Sequence, residues 1–248
     1  MLRPSPATAT VKFGCMLETP PVSHATCDAS ENVLGDADNQ QGSRSAADAG
    51  LTPQRLHAEL LAASIPVSRA YLLGTLHDAT VSHLHGTVRF GQSDVGWLAG
   101  VATLCRTLGQ RSWVYREGKT RNMWILETST RWMGVTAAFA SVDETLAYAR
   151  GYFDTEGGVP HDPNARFYIQ LVQKNAADLG KLKTMLEELG IECGKLHNPS
   201  AAVDCELWRF YISASSHRAF AERVSSWHPR RRRRLDVWLE RQDARMKI

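Results

Sequence analysis

The run Arg150–Val159, RGYFDTEGGV, closes an amphipathic segment on two acids and two glycines. Upstream, Val142, Leu146, Ala149 and Phe153 recur at helical spacing, so a helix is expected with that face buried and Gly157 and Gly158 as its stop. A helix C-terminus carries partial negative charge, which makes carboxylates there mildly unfavourable. Asp154 and Glu156 therefore mark either a solvated, frayed end or a place where a cation offsets the repulsion. A further acid, Asp78, follows Gly74 in YLLGTLHDATV, another helical run. Without side chains at Gly74 and Gly151, two helices can approach closely and bring their acidic ends together. Two carboxylates at close range repel, and one takes up a proton unless a cation intervenes. Mg²⁺ (or Mn²⁺) suits such a pair, because it accepts a few carboxylates and completes its shell with water and phosphate oxygens.

The elements that would position these acids occur twice. A helix over VSRAYLLGTLHD is followed by a strand, GTVRFGQ, and a helix, SDVGWLAGVATLCRTLG, with a Ser93/Asp94 start and a Gly109 stop. RSWVY and NMWILET then flank REGKTR as a hairpin. The same order returns in VDETLAYARGYFD, ARFYIQLVQ, NAADLGKLKTMLEELG, IECGKLHN and ELWRFYIS. Gln92 and Gln173 are 81 residues apart, Gly109 and Gly190 share that offset, and Gly74 and Gly151 are 77 apart. The chain reads as an α/β protein built from a duplicated αβαββ unit of roughly 80 residues. The first unit spans 51–140 and the second 141–248, with further helix at the C-terminus. Residues 1–50, poor in large apolar residues, read as a disordered tail.

Composition sets few limits. The 248 residues, 43% hydrophobic and 22% charged, fit a globular protein with a sizeable core. No apolar run approaches a membrane span, and MLRPSPATATVKFG lacks the apolar stretch of a secretory signal. A cytoplasmic, nucleoid or organellar location is expected rather than secretion. Five irregularly spaced cysteines read as reduced thiols. The net charge of +3 hides a split: residues 1–50 hold three Lys/Arg against six Asp/Glu, leaving 26 basic against 20 acidic residues beyond them. A basic body points to a polyanionic partner or to ordinary solubilising charge.

The duplication and the ending GYFDTEGG resemble the LAGLIDADG homing endonucleases. In that family each motif helix ends in an acid five positions after a glycine, and Glu156 stands five after Gly151. The first motif departs from the pattern. Ala79 stands five after Gly74, and Asp78, one residue early, is the functional counterpart if the helix loses one residue, about 100° of turn. The resemblance implies pseudo-twofold symmetry and two antiparallel sheets forming a DNA-binding saddle. It implies a monomer that cleaves double-stranded DNA with Mg²⁺ (or Mn²⁺). It also implies that Asp78 and Glu156 are the metal ligands, and that they, the glutamines Gln92 and Gln173, and a basic residue in WHPRRRRRL, here Arg231, have catalytic roles. The imperfect first motif leaves open a nicking enzyme, a DNA-binding regulator, or an RNA-splicing maturase with intron RNA as partner.

Strand alternation exposes His85, Thr87 and Arg89 in the first unit and Arg166, Tyr168 and Gln170 in the second. Arg and Gln read base edges in a major groove that admits a β-ribbon. Arg116, Lys119 and Arg121 crowd the first hairpin, where phosphate contact is expected, and Lys174, Lys195 and Arg209 extend the set in the second unit. For each residue a solvated strand face is the competing reading. Cys193, His197 and Cys205 lack the paired spacing of a zinc site. His77, His83 and His85 read as surface polarity before metal ligands, and the seven tryptophans as core.

Overall fold

The computed structural model describes residues 53–118, 120–133 and 139–247. The tail expected over 1–50 and the candidate contact Lys119 lie outside the described residues. The first unit opens with α1 (Pro53–Ala62) and α2 (Ile65–Thr75), which has Pro66 in its first turn and tightens into a 3₁₀ turn, Leu76–Asp78. Then come β1 (Thr80–Ser82), β2 (Thr87–Gln92), α3 (Val95–Thr107), β3 (Ser112–Arg116) and β4 (Trp124–Ser129). The second unit holds α4 (Val142–Glu156), β5 (Gly157–Gly158), β6 (Gln170–Gln173), α5 (Ala176–Glu188) and β7 (Trp208–Tyr211). A short α6 (His217–Ala219), a π-helical turn (Phe220–Val224) and α7 (Pro229–Met246) close the chain.

Local chemistry explains the helix ends. Asp94 accepts from the Trp97 amide at the start of α3, and Asn175 accepts from the Ala177 and Asp178 amides at the start of α5. Ser141 accepts from the Glu144 amide while the Glu144 carboxylate reaches back to the Ala140 amide, a reciprocal cap on α4. Past α3 and α5 the chain turns at Gly109 (φ 71°) and Gly190 (φ 75°), where the left-handed backbone favours glycine.

Both sheets are antiparallel. The first has the order β1-β2-β4-β3 and the second β5-β6-β7. On the free side of β7, Cys193 bridges Ile212 and His197 bridges Arg209, so the strand expected over IECGKLHN is reduced to two bridges. Each unit also carries one short strand that αβαββ omits, β1 and β5. Both follow directly on a motif helix and are too short to leave a periodic pattern in sequence. The alternation in β2 holds: Val88 and Phe90 are buried while Thr87 and Arg89 are only half-buried. So does that before β6, with Ile169 and Leu171 buried. Val142 departs from its expected face and is exposed, because it stands directly after the N-cap of α4.

One apolar cluster lies under the first sheet around Leu72, Trp97, Leu98 and Leu126, and another under the second around Phe153, Leu171, Leu182 and Phe210. Burying each such side chain contributes about 1.5–3 kcal/mol. Tyr148 touches both clusters. Between them α2 and α4 make the most extensive contact of any two described elements. A methyl group at Gly74 would overlap the Tyr148 carbonyl oxygen and lie 2.8 Å from the Tyr152 amide nitrogen. At Gly151 it would overlap the Tyr71 carbonyl oxygen and lie 3.1 Å from the Thr75 amide nitrogen. Each glycine meets the backbone three residues before its counterpart, which is the local signature of a twofold axis between the helices. Among the described residues no helix is long and apolar enough to cross a membrane.

Candidate metal centre and nucleic-acid interface

The glycine contact fixes where the two helices end. Glu156 is the last residue of α4 and half-buried, and Asp78 is the last of the 3₁₀ turn that continues α2 and is exposed. The 3₁₀ turn advances the chain faster per residue than an α-helix, so Asp78 reaches the helix end in four residues from Gly74 where Glu156 needs five from Gly151. The surroundings match pairwise. Gln92 Nε2 donates to Asp78 Oδ2 (3.1 Å), and Gln173 Nε2 donates to Glu156 Oε1 (2.9 Å) and to the His77 carbonyl (3.3 Å). Each glutamine ends a strand, β2 or β6, just before the long helix of its unit.

Electrostatics couple the two acids. Burial first, and the Asp78 charge second, push Glu156 from 4.5 up to about 7, against the Gln173 hydrogen bond and the Arg231 charge. Desolvation raises Asp78 as well, against the Gln92 hydrogen bond and the Arg231 charge. Two carboxylates with glutamine donors, open on one side, fit Mg²⁺ or Mn²⁺, which take the remaining positions from water and phosphate. Among the described residues no group of three or more His, Cys, Asp or Glu side chains is placed to hold a metal ion. His77 lies under the helices, hydrogen-bonded to Tyr148 Oη (2.8 Å) and 4.1 Å from the Tyr152 ring, and burial lowers it to about 4. Its surface reading is corrected: the 3₁₀ turn swings it into the gap between α2 and α4.

Arg231 stands beside this pair, but its donors face the main chain. Its guanidinium donates to the carbonyls of Asp154, Thr155 and Gly157, capping the negative end of α4. Asp154, the other acid of the opening motif, is fully buried. It accepts from Tyr71 Oη (2.7 Å), the Trp227 amide (2.8 Å) and Ser226 Oγ, while Trp97 Nε1 donates to Tyr71 Oη (2.9 Å). Burial raises its pKa against those donors. This network ties both motif helices, α3 and the segment before α7 together. Sequence reading missed it, since its one legible sign was an acid two residues before Glu156.

The outer sheet faces differ. In the first sheet Arg89 donates to Tyr115 Oη (3.1 Å) and ion-pairs with Glu117 (3.7 Å) and Glu127 (3.9 Å), so its charge is largely matched. Trp113, expected in the core, is 47% exposed on this face. His85, expected on a strand face, lies in the turn before β2 and is exposed, as are Arg116 and Arg121, while Thr87 is half-buried. In the second sheet Arg209 Nη1 donates to Tyr211 Oη (2.9 Å), and Arg209 Nε, like Arg89 Nε in the first, is buried with no hydrogen-bond acceptor among the described residues. Tyr168 meets the Tyr211 ring edge-on, His197 stacks on it, Gln170 lies opposite Tyr211, and Lys174 and Lys195 are exposed. Arg166 precedes β6 in irregular chain and lines a groove beside α7, away from the sheet face where alternation put it. The three described cysteines, Cys105, Cys193 and Cys205, are free thiols.

Two repeats joined at glycine-packed helices, with an acid at each helix end and an antiparallel sheet on each side, define the class. Residues 143–225 match the model of the LAGLIDADG-like domain, and the chain has the LAGLIDADG fold. The N-terminal LAGLIDADG domain of DUF199/WhiA is similar over 69% of this chain and 91% of its own, at 16% identity and TM-score 0.53. Full-length DUF199/WhiA from Thermatoga maritima is similar over 76% of this chain and 66% of its own, at 17% identity and TM-score 0.55. The homing endonuclease I-DmoI in complex with DNA and Ca is similar over 65% of this chain and 91% of its own, at 16% identity and TM-score 0.50. No curated protein matches in sequence.

Proposed function

We propose that the chain binds double-stranded DNA across its two sheets and hydrolyses the phosphodiester backbone at Asp78 and Glu156. The observation that carries this reading is the repeated acid–glutamine pair, Asp78–Gln92 and Glu156–Gln173, at the ends of two helices in backbone contact. Both halves belong to one chain, so a monomer supplies a complete centre. A divalent cation held by Asp78 and Glu156 would neutralise the scissile phosphate and lower the pKa of an attacking water. Gln92 and Gln173 hold the carboxylates in orientation. Arg231 fixes the end of α4 and keeps positive charge beside both acids. Arg209, Tyr211, Gln170 and Lys195 would form the reading face of the second unit, and Arg116 and Arg121 would meet phosphates at the first.

A second reading, a binder of DNA or intron RNA that does not cut, is favoured by the first unit. Its acid is reached by a different turn, and its arginine is matched by two glutamates. Duplexes selected from a randomised library in Ca²⁺, then exposed to Mg²⁺ or Mn²⁺, separate the two. Cuts on both strands that vanish in Glu156→Gln support hydrolysis, cuts on one strand indicate that the Asp78 half is impaired, and specific binding without cuts leaves the binder.

A further inference from the structure

A groove of about 760 Å³ runs between the 160–167 loop and one face of α7. Six arginines line it, Arg166, Arg230, Arg233, Arg234, Arg241 and Arg245, against one acid, Asp162. None of them belongs to a strand of either sheet. The walls are tied together. Arg234 Nη2 is hydrogen-bonded to His161 Nδ1 (2.8 Å), Arg241 donates to the Pro163 carbonyl, and Phe167 stacks on Trp238 at 4.5 Å and 14°. Of the lining arginines Arg230 is paired with Asp94 (3.2 Å), while Asp236 pairs with Arg232 and Asp243 with Arg218 on faces that do not line the groove.

The spacing decides what such a groove takes. Arg234 and Arg245 are 11 residues apart on one helix, which at about 1.5 Å per residue is a stripe of about 16 Å, prolonged by Arg230, which is paired with Asp94. A single phosphate or nucleotide cannot span it, whereas a chain with a charge on every unit can. Guanidinium groups match phosphate oxygens with two parallel donors, and the stacked Trp238–Phe167 floor is apolar, which suits a sugar–phosphate strand better than a carboxylate-rich peptide.

We propose that the groove between the 160–167 loop and α7 is a second nucleic-acid docking surface, taking the phosphodiester backbone of a strand outside the two sheets. This rests on the nucleic-acid binding proposed above but not on cleavage. The test measures fluorescence anisotropy of a labelled duplex and a labelled single strand, each of about 30 nucleotides and arbitrary sequence, against salt. Two double variants are compared with the full chain: Arg241→Ala/Arg245→Ala in the groove and Lys195→Ala/Arg209→Ala on the second sheet. The groove variant should weaken binding about tenfold at moderate salt and flatten the log–log salt dependence by about 2, close to one for each phosphate that is no longer neutralised. Arg241→Lys/Arg245→Lys should keep most of the slope, which separates the effect of charge from an effect on folding. An unchanged slope and affinity in a groove variant with the wild-type melting curve overturns the proposal. Weakening confined to the sheet variant leaves the sheet reading standing without the groove, and weakening confined to the groove variant does the reverse.

Discussion

Glu156 offers a test of the centre that needs neither substrate nor target sequence. Its carboxyl is displaced from 4.5 to about 7 by burial and by Asp78. A carboxyl raised in the folded state contributes stability that is fully present below its unfolded value and is lost as pH rises through the folded value. Without divalent cations the protein therefore loses stability from about pH 4.5 to about pH 7 on account of this group. The displacement corresponds to at most about 3 kcal/mol, and solvent screening at a half-open site lowers the measurable part to about 1–2 kcal/mol. Half-buried His77 and buried His228, each lowered to about 4, act oppositely: they withdraw stability as pH falls below their ordinary range. The informative quantity is thus the difference between wild type and Glu156→Gln. Urea unfolding in chelator from about pH 5 to about pH 8 should show the variant gaining about 1–2 kcal/mol on the wild type as pH rises. Saturating Mg²⁺ or Mn²⁺ should remove that gain, because a bound cation stabilises only the wild-type ionised pair. Parallel pH profiles in chelator would mean that neither burial nor Asp78 displaces Glu156, and the paired-acid centre would lose this support.

Other outcomes follow from the helix contact and its ends. Gly151→Ala gains about 1 kcal/mol of helix propensity but drives a methyl into the Tyr71 carbonyl, so a net loss of about 3 kcal/mol is expected in thermal or urea unfolding. A neutral result would show that the helices part without cost. Asp154→Ala strands the Tyr71 hydroxyl, the Ser226 hydroxyl and the Trp227 amide in a buried place. A loss of at least about 3 kcal/mol is expected, and one below about 1 kcal/mol would mean that water replaces the carboxylate. Asp78→Asn should leave folding within about 0.5 kcal/mol of wild type and abolish Mg²⁺-dependent cutting of one strand, whereas retained cutting of both strands would remove Asp78 from the centre.

Much of the architecture was legible from spacing alone. The 81-residue offsets of Gln92/Gln173 and Gly109/Gly190, and glycines at 74 and 151, define two copies of one unit. Alternation in β2 and before β6 names the buried residues, because side-chain period follows from backbone geometry without reference to neighbours. GYFDTEGG marks a helix that ends on acids. What spacing could not give was anything set by contact between distant segments. Whether Asp78 or Ala79 answers Glu156 depends on a 3₁₀ turn, a small change of winding that no residue in LHD announces. Asp154 and Glu156 are two residues apart in one motif, yet packing buries Asp154 in a hydrogen-bond network and leaves Glu156 half-open beside Asp78. Arg231 looks like a ligand for phosphate until the end of α4 comes within reach of its guanidinium. Arg89 looks like a base reader until β4 brings Glu127 opposite it. Sequence determines which groups are present and how each segment repeats, because those are local properties. Which charges are neutralised, shared or left over is decided by the tertiary structure, because only packing sets their distances and their access to water.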